Sequence, residues 1–226
     1  MPPSFDAEAF LNQPIHAWDT LTLLGDIEDF IDFSEANIDW QLKRELRRLK
    51  AEHMEVIVDD PNMDAQYKDQ QIEGAEYRFS VSLAQRVHYS ALTALITSIE
   101  WSMLALRRRA QFAVPDKPEK VSEVVHLVSV FSSKAQQNLG EEQALLSMLV
   151  QVRNCIVHSS GFIETYKYAT DLRQRLLSAQ GIRLSNISFL GEAIELEQGF
   201  LQIALEQAKR WLPALEKKLY EGGHVK

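Results

Sequence analysis

Apolar residues recur at helical spacing through most of this 226-residue chain, and this periodicity restricts the fold more than any other feature of the sequence. The only convincing alternation of apolar and polar residues runs from Ile182 to Phe189, is followed by Gly191, and indicates one small β-hairpin. We therefore expect an all-α protein, a helical bundle with a small β-hairpin before the C-terminal helix. The predicted helices lie near residues 18–31, 35–57, 70–113, 119–136, 141–158, 163–179 and 198–220.

Proline and glycine residues set the predicted limits of these helices. Pro61 is expected to end the second helix, Pro115 and Pro118 to separate the third from the fourth, and Gly140 to precede the fifth. The third helix is the longest, so we expect it to lie at the centre of the bundle. Its apolar stripe consists of Leu83, Val87, Leu92, Leu95, Ile99, Met103 and Leu106.

The acidic residues are concentrated in the amino-terminal part of the chain. A formal net charge of −8 would by itself argue against a nucleic-acid ligand, because phosphate-binding proteins usually carry a basic surface. Residues 1–42, however, contain nine acids, from Asp6 to Asp39, and no Lys or Arg, so the remainder of the chain is close to neutral. The acidic segment is either a solvated helical face or a device for nucleic-acid mimicry or self-inhibition.

An interruption of the helical pattern between Asp59 and Asp69 predicts a loop and a domain boundary. We expect residues 1–69 to form an acidic helical extension packed on the bundle, and residues 70–226 to form the bundle domain itself. The motif described below lies entirely in the second of these parts.

Composition favours a soluble, packed protein inside the cell. An apolar fraction of 46% excludes a disordered chain. Charged or polar residues interrupt every apolar run before it reaches the ~18 residues of a membrane span, and the first residues lack the pattern of a signal peptide. Cys155 is the single cysteine, which excludes an internal disulfide and a zinc site built from several thiolates. We expect a cytoplasmic protein without membrane contact.

One stretch, from Arg153 to His158, contains the residue types that phosphodiester chemistry needs. RNA cleavage without a metal requires a group that transfers protons near neutrality and a cation that stabilises charge on the phosphoryl group. His158 and Arg153 can supply them, and a guanidinium matches two phosphate oxygens better than the point charge of a lysine does. Asn154 can orient the phosphate or the imidazole.

The same stretch resembles the HEPN superfamily (higher eukaryotes and prokaryotes nucleotide-binding domain), in its prokaryotic toxin or phage-defence form. The defining element of that family is an Arg, usually a polar residue next, and a His after four to six intervening residues. Here four residues intervene, Asn154 is the polar one, and a small-residue turn ending in Gly161 follows. With the long preceding helix and the later hairpin, the resemblance covers about residues 70–220.

This resemblance implies a HEPN-type bundle with the activity of a metal-independent endoribonuclease that uses the 2′-hydroxyl of RNA as nucleophile and needs no cofactor. It also implies a homodimer in which the motifs of two protomers meet across a twofold axis, and an antitoxin or another regulatory protein as a further partner. Some HEPN toxins carry a modifiable Tyr two residues after the His. Ser160 stands there in this chain, which puts control by that route in doubt.

Helix geometry gives an independent reason to expect two copies at the site. Arg153 and His158 are five residues apart, about 140° around a helix and ~7.5 Å along it, so they diverge within one chain. Asn154 and His158, at positions i and i+4, share a face. The alternative function is a non-catalytic helical adaptor that binds nucleotide or a protein partner, with the motif as an anion site.

Several other residues are candidates for supporting roles, each with a simpler explanation. Glu100 lies in the apolar stripe and either contacts Arg153 or is exposed on the polar side of its helix. Ser159, beside His158, is a further supporting candidate. The run Arg107, Arg108 and Arg109 either complements a helix macrodipole or contacts RNA phosphates. A second basic cluster either contacts RNA or forms ion pairs along its helix: Lys43, Arg44, Arg47, Arg48 and Lys50.

Other enzyme classes lack their characteristic patterns in this sequence. No His-Glu-x-x-His or paired-carboxylate pattern indicates a metal site, and neither a Gly-x-Ser-x-Gly elbow nor a Gly-Lys-Ser/Thr phosphate loop occurs. The histidines other than His158 are assigned no role, and His88 is expected to be a packed residue with its polar atoms satisfied.

Overall fold

A computed structural model describes residues 15–55, 57–177, 179–188 and 191–226 of the chain. The described part is mostly helical, with one antiparallel two-stranded hairpin before the C-terminal helix, which confirms the all-α prediction. The elements are α1 (Ile15–Glu52), α2 (Pro61–Glu76), α3 (Ala84–Arg109), α4 (Glu123–Lys134), α5 (Gly140–Ser159), α6 (Ala169–Leu176), β1 (Ile182–Ser188), β2 (Gly191–Leu196) and α7 (Phe200–Glu221).

The first two predicted helices are a single helix, α1, so the predicted break between residues 31 and 35 is wrong. That stretch reads Asp32-Phe33-Ser34 and contains neither Pro nor Gly. Asp, Phe and Ser each cost well under 1 kcal/mol in a helix interior relative to Ala, which is too little to end a long helix. Asp6 and Glu8 of the predicted acidic segment lie outside the described residues.

Pro61 begins a helix instead of ending one, which corrects the loop predicted between Asp59 and Asp69. The Asp60 carboxylate caps α2 by accepting hydrogen bonds from the N–H groups of Asn62 at 2.8 Å and Met63 at 3.2 Å. Pro is favoured at the first helical position because the N–H that it lacks has no intrahelical partner there. The predicted domain boundary after residue 69 falls within α2.

The helix predicted for residues 70–113 is part of a longer helical stretch from Pro61 to Arg109, in which a π-helical segment, Tyr77–Leu83, joins α2 to α3. Over an 18-residue window this stretch has a mean hydropathy of 1.2, and 44% of that window is buried within the protein. By length and composition the stretch could cross a membrane, and the core helix of a soluble protein meets the same criterion. The cytoplasmic location stays a prediction.

The chain divides into two compact units. Among the described residues, the bundle unit consists of those in 15–28 and 92–226, and the helix-pair unit consists of those in Asp29–Ala91. α1 and α3 each contribute residues to both units, and the motif lies in the bundle unit.

The core of the bundle unit is built on the second half of α3, where the apolar stripe is buried as its spacing predicts. Full burial of each such side chain contributes about 1.5–3 kcal/mol to folding. Polar contacts add the beginning of α1 to this core, because Thr20 and Ser102 share a buried hydrogen bond of 2.9 Å and Lys209 of α7 contacts Glu28 at 2.6 Å. The buried residues of the stripe are Leu92, Leu95, Ile99, Met103 and Leu106.

The remaining elements agree with the predicted limits to within a few residues, except that the sixth predicted helix is shorter. A 3₁₀ turn, Ile163–Thr165, precedes α6, and residues 166–168 are not helical. In the hairpin, Ile182 pairs with Leu196 and Leu184 with Ile194, with an irregularity between Ser185 and Ser188.

The hairpin is attached to the chain segment that follows α5. The N–H of Ile194 donates to the carbonyl of Gly161 at 3.0 Å, and Phe162 forms an isolated bridge with Ala193. Since Gly161 follows directly on the end of α5, this contact places the exit of the motif helix against β2.

We predict opposite effects on stability for two glycine substitutions. Gly181, before β1, has φ +77°, and an added Cβ would lie 2.6–3.0 Å from atoms of the Phe200 side chain, so Gly181→Ala should lower the free energy of unfolding by more than ~1 kcal/mol. Gly25, in α1, has no atom within 4 Å of an added Cβ, so Gly25→Ala should raise it by up to ~1 kcal/mol. Thermal denaturation of both variants is the measurement, and an unchanged melting temperature for Gly181→Ala would contradict the described turn.

Candidate functional site

The motif lies in the last two turns of α5, which is regular from Gly140 to Ser159. One side of this helix is packed into the bundle unit through six buried residues, and the polar motif residues occupy the remaining positions. The helix ends where Ser160 and Gly161 adopt left-handed backbone conformations, with φ of 52° and 85°. The buried residues are Leu146, Leu149, Val150, Val152, Cys155 and Ile156.

Arg153 faces α3 and lies beside Glu100, and the sequence suggested this contact as one of two alternatives for Glu100. Its Nη2 atom is 3.7 Å from Glu100 Oε2, and the exposed fractions of the two side chains are 23% and 34%. This separation is an ion pair but is too long for a hydrogen bond. The Nε atom of Arg153 is buried without a hydrogen-bond partner. The guanidinium therefore keeps unused hydrogen-bond donors.

Asn154 and His158 share the outer face of α5, one turn apart, as their spacing predicts. Asn154 is half-buried and His158 is exposed, and within the described part of the chain neither side chain has a hydrogen-bond partner. Because α5 is regular through the motif, Arg153 and His158 keep the angular separation of about 140°. One copy of the chain thus brings together Asn154 with His158, and Arg153 with Glu100, but not all four residues.

Five other arginines in the bundle unit contrast with Arg153, because each of these five contacts a carboxylate at hydrogen-bonding distance. Arg109 contacts Glu216 at 2.9 Å, and Arg173 contacts both Glu164 and Glu192. Such pairs neutralise the cation and order its side chain. The remaining examples are Arg107 with Glu123 at 2.5 Å, Arg175 with Asp171 at 3.1 Å and Arg183 with Glu195 at 2.7 Å.

The predicted RNA-binding run at the end of α3 is largely engaged in contacts within the protein. Arg107 is paired with Glu123, while Arg109 donates to Glu216 and to the carbonyl of Lys226. Arg108 is exposed and has no partner among the described residues. RNA binding by this run stays a prediction. Of its three residues, Arg108 is best placed to contact RNA because it is exposed and unpaired within the described residues.

Four other histidines, His53, His88, His126 and His224, have partners, in contrast to His158. His88 is buried and its Nε2 lies 3.0 Å from Glu35 Oε1, so it is packed and satisfied as predicted. His53 contacts Gln71 and His126 contacts the carbonyl of Pro115, both at 2.9 Å. His224 packs edge-on against the Phe112 ring.

The residues next to the motif have mainly structural roles. Ser159 is half-buried, and its carbonyl accepts a hydrogen bond from Phe162 N–H at 2.8 Å. Glu164, an acid that the sequence did not single out, is held by Arg173 and by the N–H of Glu192. A hydrogen bond from its own backbone N–H, a second from the N–H of Glu192 and the charge of Arg173 lower the pKa of Glu164. No sequence signal distinguishes it from other surface acids.

Three described cavities lie elsewhere in the bundle unit, with volumes of about 670, 560 and 230 Å³. The two larger ones adjoin each other between α5 and α7 and share Leu145 and Gln207. None of the three is lined by Arg153, Asn154 or His158. Among the residues that the structure describes, no cluster of three or more His, Cys, Asp or Glu side chains could hold a metal ion.

Comparisons of this chain with models of protein families, with curated proteins and with solved structures found no match. The resemblance to HEPN proteins therefore rests on the motif and its surroundings in the sequence.

Cys155 provides a test of the packing of α5 within the motif itself. The side chain is fully buried, and burial raises the pKa of its thiol to about 12. Because only the thiolate reacts with alkylating reagents, we expect essentially no labelling of the native protein at pH 8 and complete labelling after denaturation. Mass spectrometry gives the extent of labelling, and rapid reaction of the native thiol would show that this part of α5 is not packed as described.

Proposed function

We propose that this protein is a metal-independent endoribonuclease of the HEPN type, in which Arg153, Asn154 and His158 act on an RNA phosphodiester. One observation carries the proposal: these three polar side chains, all in the last two turns of α5, have no hydrogen bond within the described residues. A site that is left unpaired within its own fold is suited to a ligand. The ligand that matches an arginine, an amide and an imidazole is a phosphodiester.

In the proposed reaction, the 2′-hydroxyl oxygen of the substrate attacks the adjacent phosphorus while its proton passes to a base. The bond from phosphorus to the 5′-oxygen breaks, and that oxygen takes up a proton. An imidazole can perform either transfer near neutral pH, which is the role of His158. Arg153 stabilises the charge on two phosphate oxygens, and Asn154 orients the phosphate or the imidazole. The products are a 2′,3′-cyclic phosphate and a 5′-hydroxyl.

Glu100 has a positioning role in this proposal. The charge of Glu100 keeps the Arg153 guanidinium near one orientation without forming a hydrogen bond that a phosphate would have to break. An arginine that contacts two carboxylates closely, as Arg173 does, would have to break those contacts before it could bind a phosphate. Phosphate binding by such an arginine would therefore cost more free energy.

The active unit in this proposal is a twofold dimer. Arg153 and His158 diverge on α5, so the phosphate would lie between the Arg153 of one copy and the motif of the other. An anion between two such arginines would also relieve their mutual repulsion. In the cell the protein would act as a toxin or phage-defence effector in the cytoplasm, under the control of an antitoxin or another regulatory protein.

Substitution of the two charged motif residues is the main test. We expect Arg153→Ala and His158→Ala each to reduce RNA cleavage by ~10²-fold or more, because each removes a group that acts in the transition state. Cleavage of a labelled RNA, its 2′-deoxy analogue and the same RNA with EDTA should be followed by gel electrophoresis. Arg183→Ala and His126→Ala are matched controls that should cleave like wild type.

Three outcomes would contradict the nuclease proposal: cleavage of the 2′-deoxy substrate, loss of activity in EDTA, or motif variants that cleave normally. The position of the motif outside the three described cavities favours the second candidate, a non-catalytic adaptor that uses the motif as an anion site. Folded wild-type protein that cuts no RNA, with both variants fully active in cells, would support the adaptor. Toxicity on expression that His158→Ala relieves would support the nuclease.

The composite site is tested by mixing the two inactive proteins. Subunit exchange between Arg153→Ala and His158→Ala creates heterodimers that retain one Arg153 and one His158. If the site is shared, the mixture should cleave RNA faster than either variant alone, and the recovered rate should scale with the heterodimer fraction. Light scattering measures the dimer, and a strict monomer that cleaves RNA would rule out the shared site.

A further inference from the structure

The helix-pair unit leaves large side chains in water because its own core is small. α1 from Asp29 onward is joined to the following helices by the contact of His88 with Glu35 and by the hydrogen bond of His53 with Gln71. Among the described residues of this unit, only Ile31, Leu49, Ala75 and Ala91 are buried apolar residues. Two paired helices with so small a core usually bury their remaining apolar side chains against a partner.

One face of α1 carries two exposed aromatic residues and several charged residues without an ion-pair partner among the described residues. Phe33 is 74% exposed and Trp40 is 51% exposed. At 100° per residue these two side chains lie within about 20° of each other around the helix, and Asp29, Arg44 and Arg47 lie within about 40° of Trp40. We call these five positions, with Ala36 and Asn37 between them, the outer face of α1.

Asp29 and Arg44 on the outer face form no ion pair within the described residues, whereas neighbouring charged residues of α1 do. Lys43 contacts Asp39 at 2.5 Å, and Arg48 contacts both Glu45 and Glu52. Arg44, in contrast, lies over the Trp40 ring at 5.6 Å and forms no ion pair within the described residues. Asp29 likewise has no cationic partner among them, so each of these two charges can pair with a second molecule.

We propose that a second copy of this chain docks on the outer face of α1, with the two helices antiparallel. If the twofold axis passes between Ala36 and Asn37, Phe33 faces Trp40 of the second copy and Asp29 faces its Arg44. Both pairs occur twice, as an isologous interface requires. The small side chains of Ala36 and Asn37 lie at the crossing point, where two helices must approach most closely.

The distribution of charges on the outer face favours an antiparallel second copy over a parallel copy or a single-stranded RNA. The acid lies on the amino-terminal side of the axis and the two arginines lie on its carboxyl-terminal side, so antiparallel pairing places opposite charges together and parallel pairing places like charges together. A single-stranded RNA would need cations along the whole track together with the aromatic rings. Asp29 and the exposed Asp32 interrupt such a track.

This surface involves none of the motif residues, and the inference does not depend on RNA cleavage. A single pair of helices buries less area than the ~1,200–2,000 Å² of a standard stable interface, so the association should depend on protein concentration. The specific consequence is geometric: residue 37 of one copy lies beside residue 37 of the other.

Site-specific crosslinking of the full-length chain tests this geometry. Asn37 is exposed, and the buried Cys155 should not react, so Asn37→Cys provides a single reactive thiol. A short bismaleimide should join Asn37→Cys into covalent dimers. Lys50→Cys, on the same helix, should not crosslink, because the two copies of residue 50 would be roughly 40 Å apart along the helix axis in an antiparallel pair. Equal crosslinking of both variants would indicate parallel or non-specific contact and would overturn the proposal.

Charge reversal in the Asn37→Cys background tests the pairing itself. Asp29→Arg and Arg44→Asp should each reduce the crosslink yield several-fold, because each places like charges opposite each other. The double variant should restore the yield, since positions 29 and 44 would again carry opposite charges. Arg86→Asp, an exposed change of the same size elsewhere in the unit, should have no effect. Failure of the double variant to recover would overturn the proposal. So would a crosslink yield at background level combined with loss of single-stranded RNA binding in Arg44→Asp, which would assign the face to RNA.

Discussion

The apolar side of α5 is packed into the bundle unit, and its burial fixes the rotation of the helix about its own axis. Leu149, Val152 and Cys155 are among the buried residues of this side. Turning α5 by a single residue position would expose several of them, at a cost of about 1.5–3 kcal/mol each for the larger side chains. The directions of Arg153, Asn154 and His158 follow from this packing, since they occupy the positions between the buried ones. The hydrophobic core therefore determines which polar groups of α5 the surface presents.

The motif contains one of the buried polar atoms that the described part of the bundle unit leaves without a hydrogen-bond partner, and the others belong to Gln137, Gln151 and Ser185. A buried donor without a partner costs about 1–3 kcal/mol, and the Nε of Arg153 is such a donor. Glu100 offsets part of this cost through its charge, at a distance that forms no hydrogen bond. Other arginines of the unit avoid the cost by pairing with nearby carboxylates, as Arg109 does with Glu216. Stability alone therefore gives no reason for an arginine at this position, and a functional role would account for it.

Much of this fold is predictable from local sequence because helical periodicity and the hairpin alternation are strong signals, but errors occur where one residue type permits two outcomes. Pro61 can end one helix or begin another, and only the cap by Asp60 decides between them. In the candidate site, the face shared by Asn154 and His158 follows from their spacing. The ion pairs of the arginine run at the end of α3 could not be predicted, because the carboxylate partners are distant in the sequence. Such pairs depend on how helices are placed in space, which periodicity does not encode.

The continuity of α1 through residues 28 and 29, and of α3 through residues 91 and 92, restricts how this protein can vary in length. Each point at which the chain leaves one unit for the other lies within a helix, where backbone hydrogen bonds join residues four apart. Inserting or deleting one residue there would turn the rest of the same helix by about 100° relative to the part before the change. Related chains should therefore tolerate substitutions at these points but keep their spacing, and changes in length should be confined to loops such as residues 110–122.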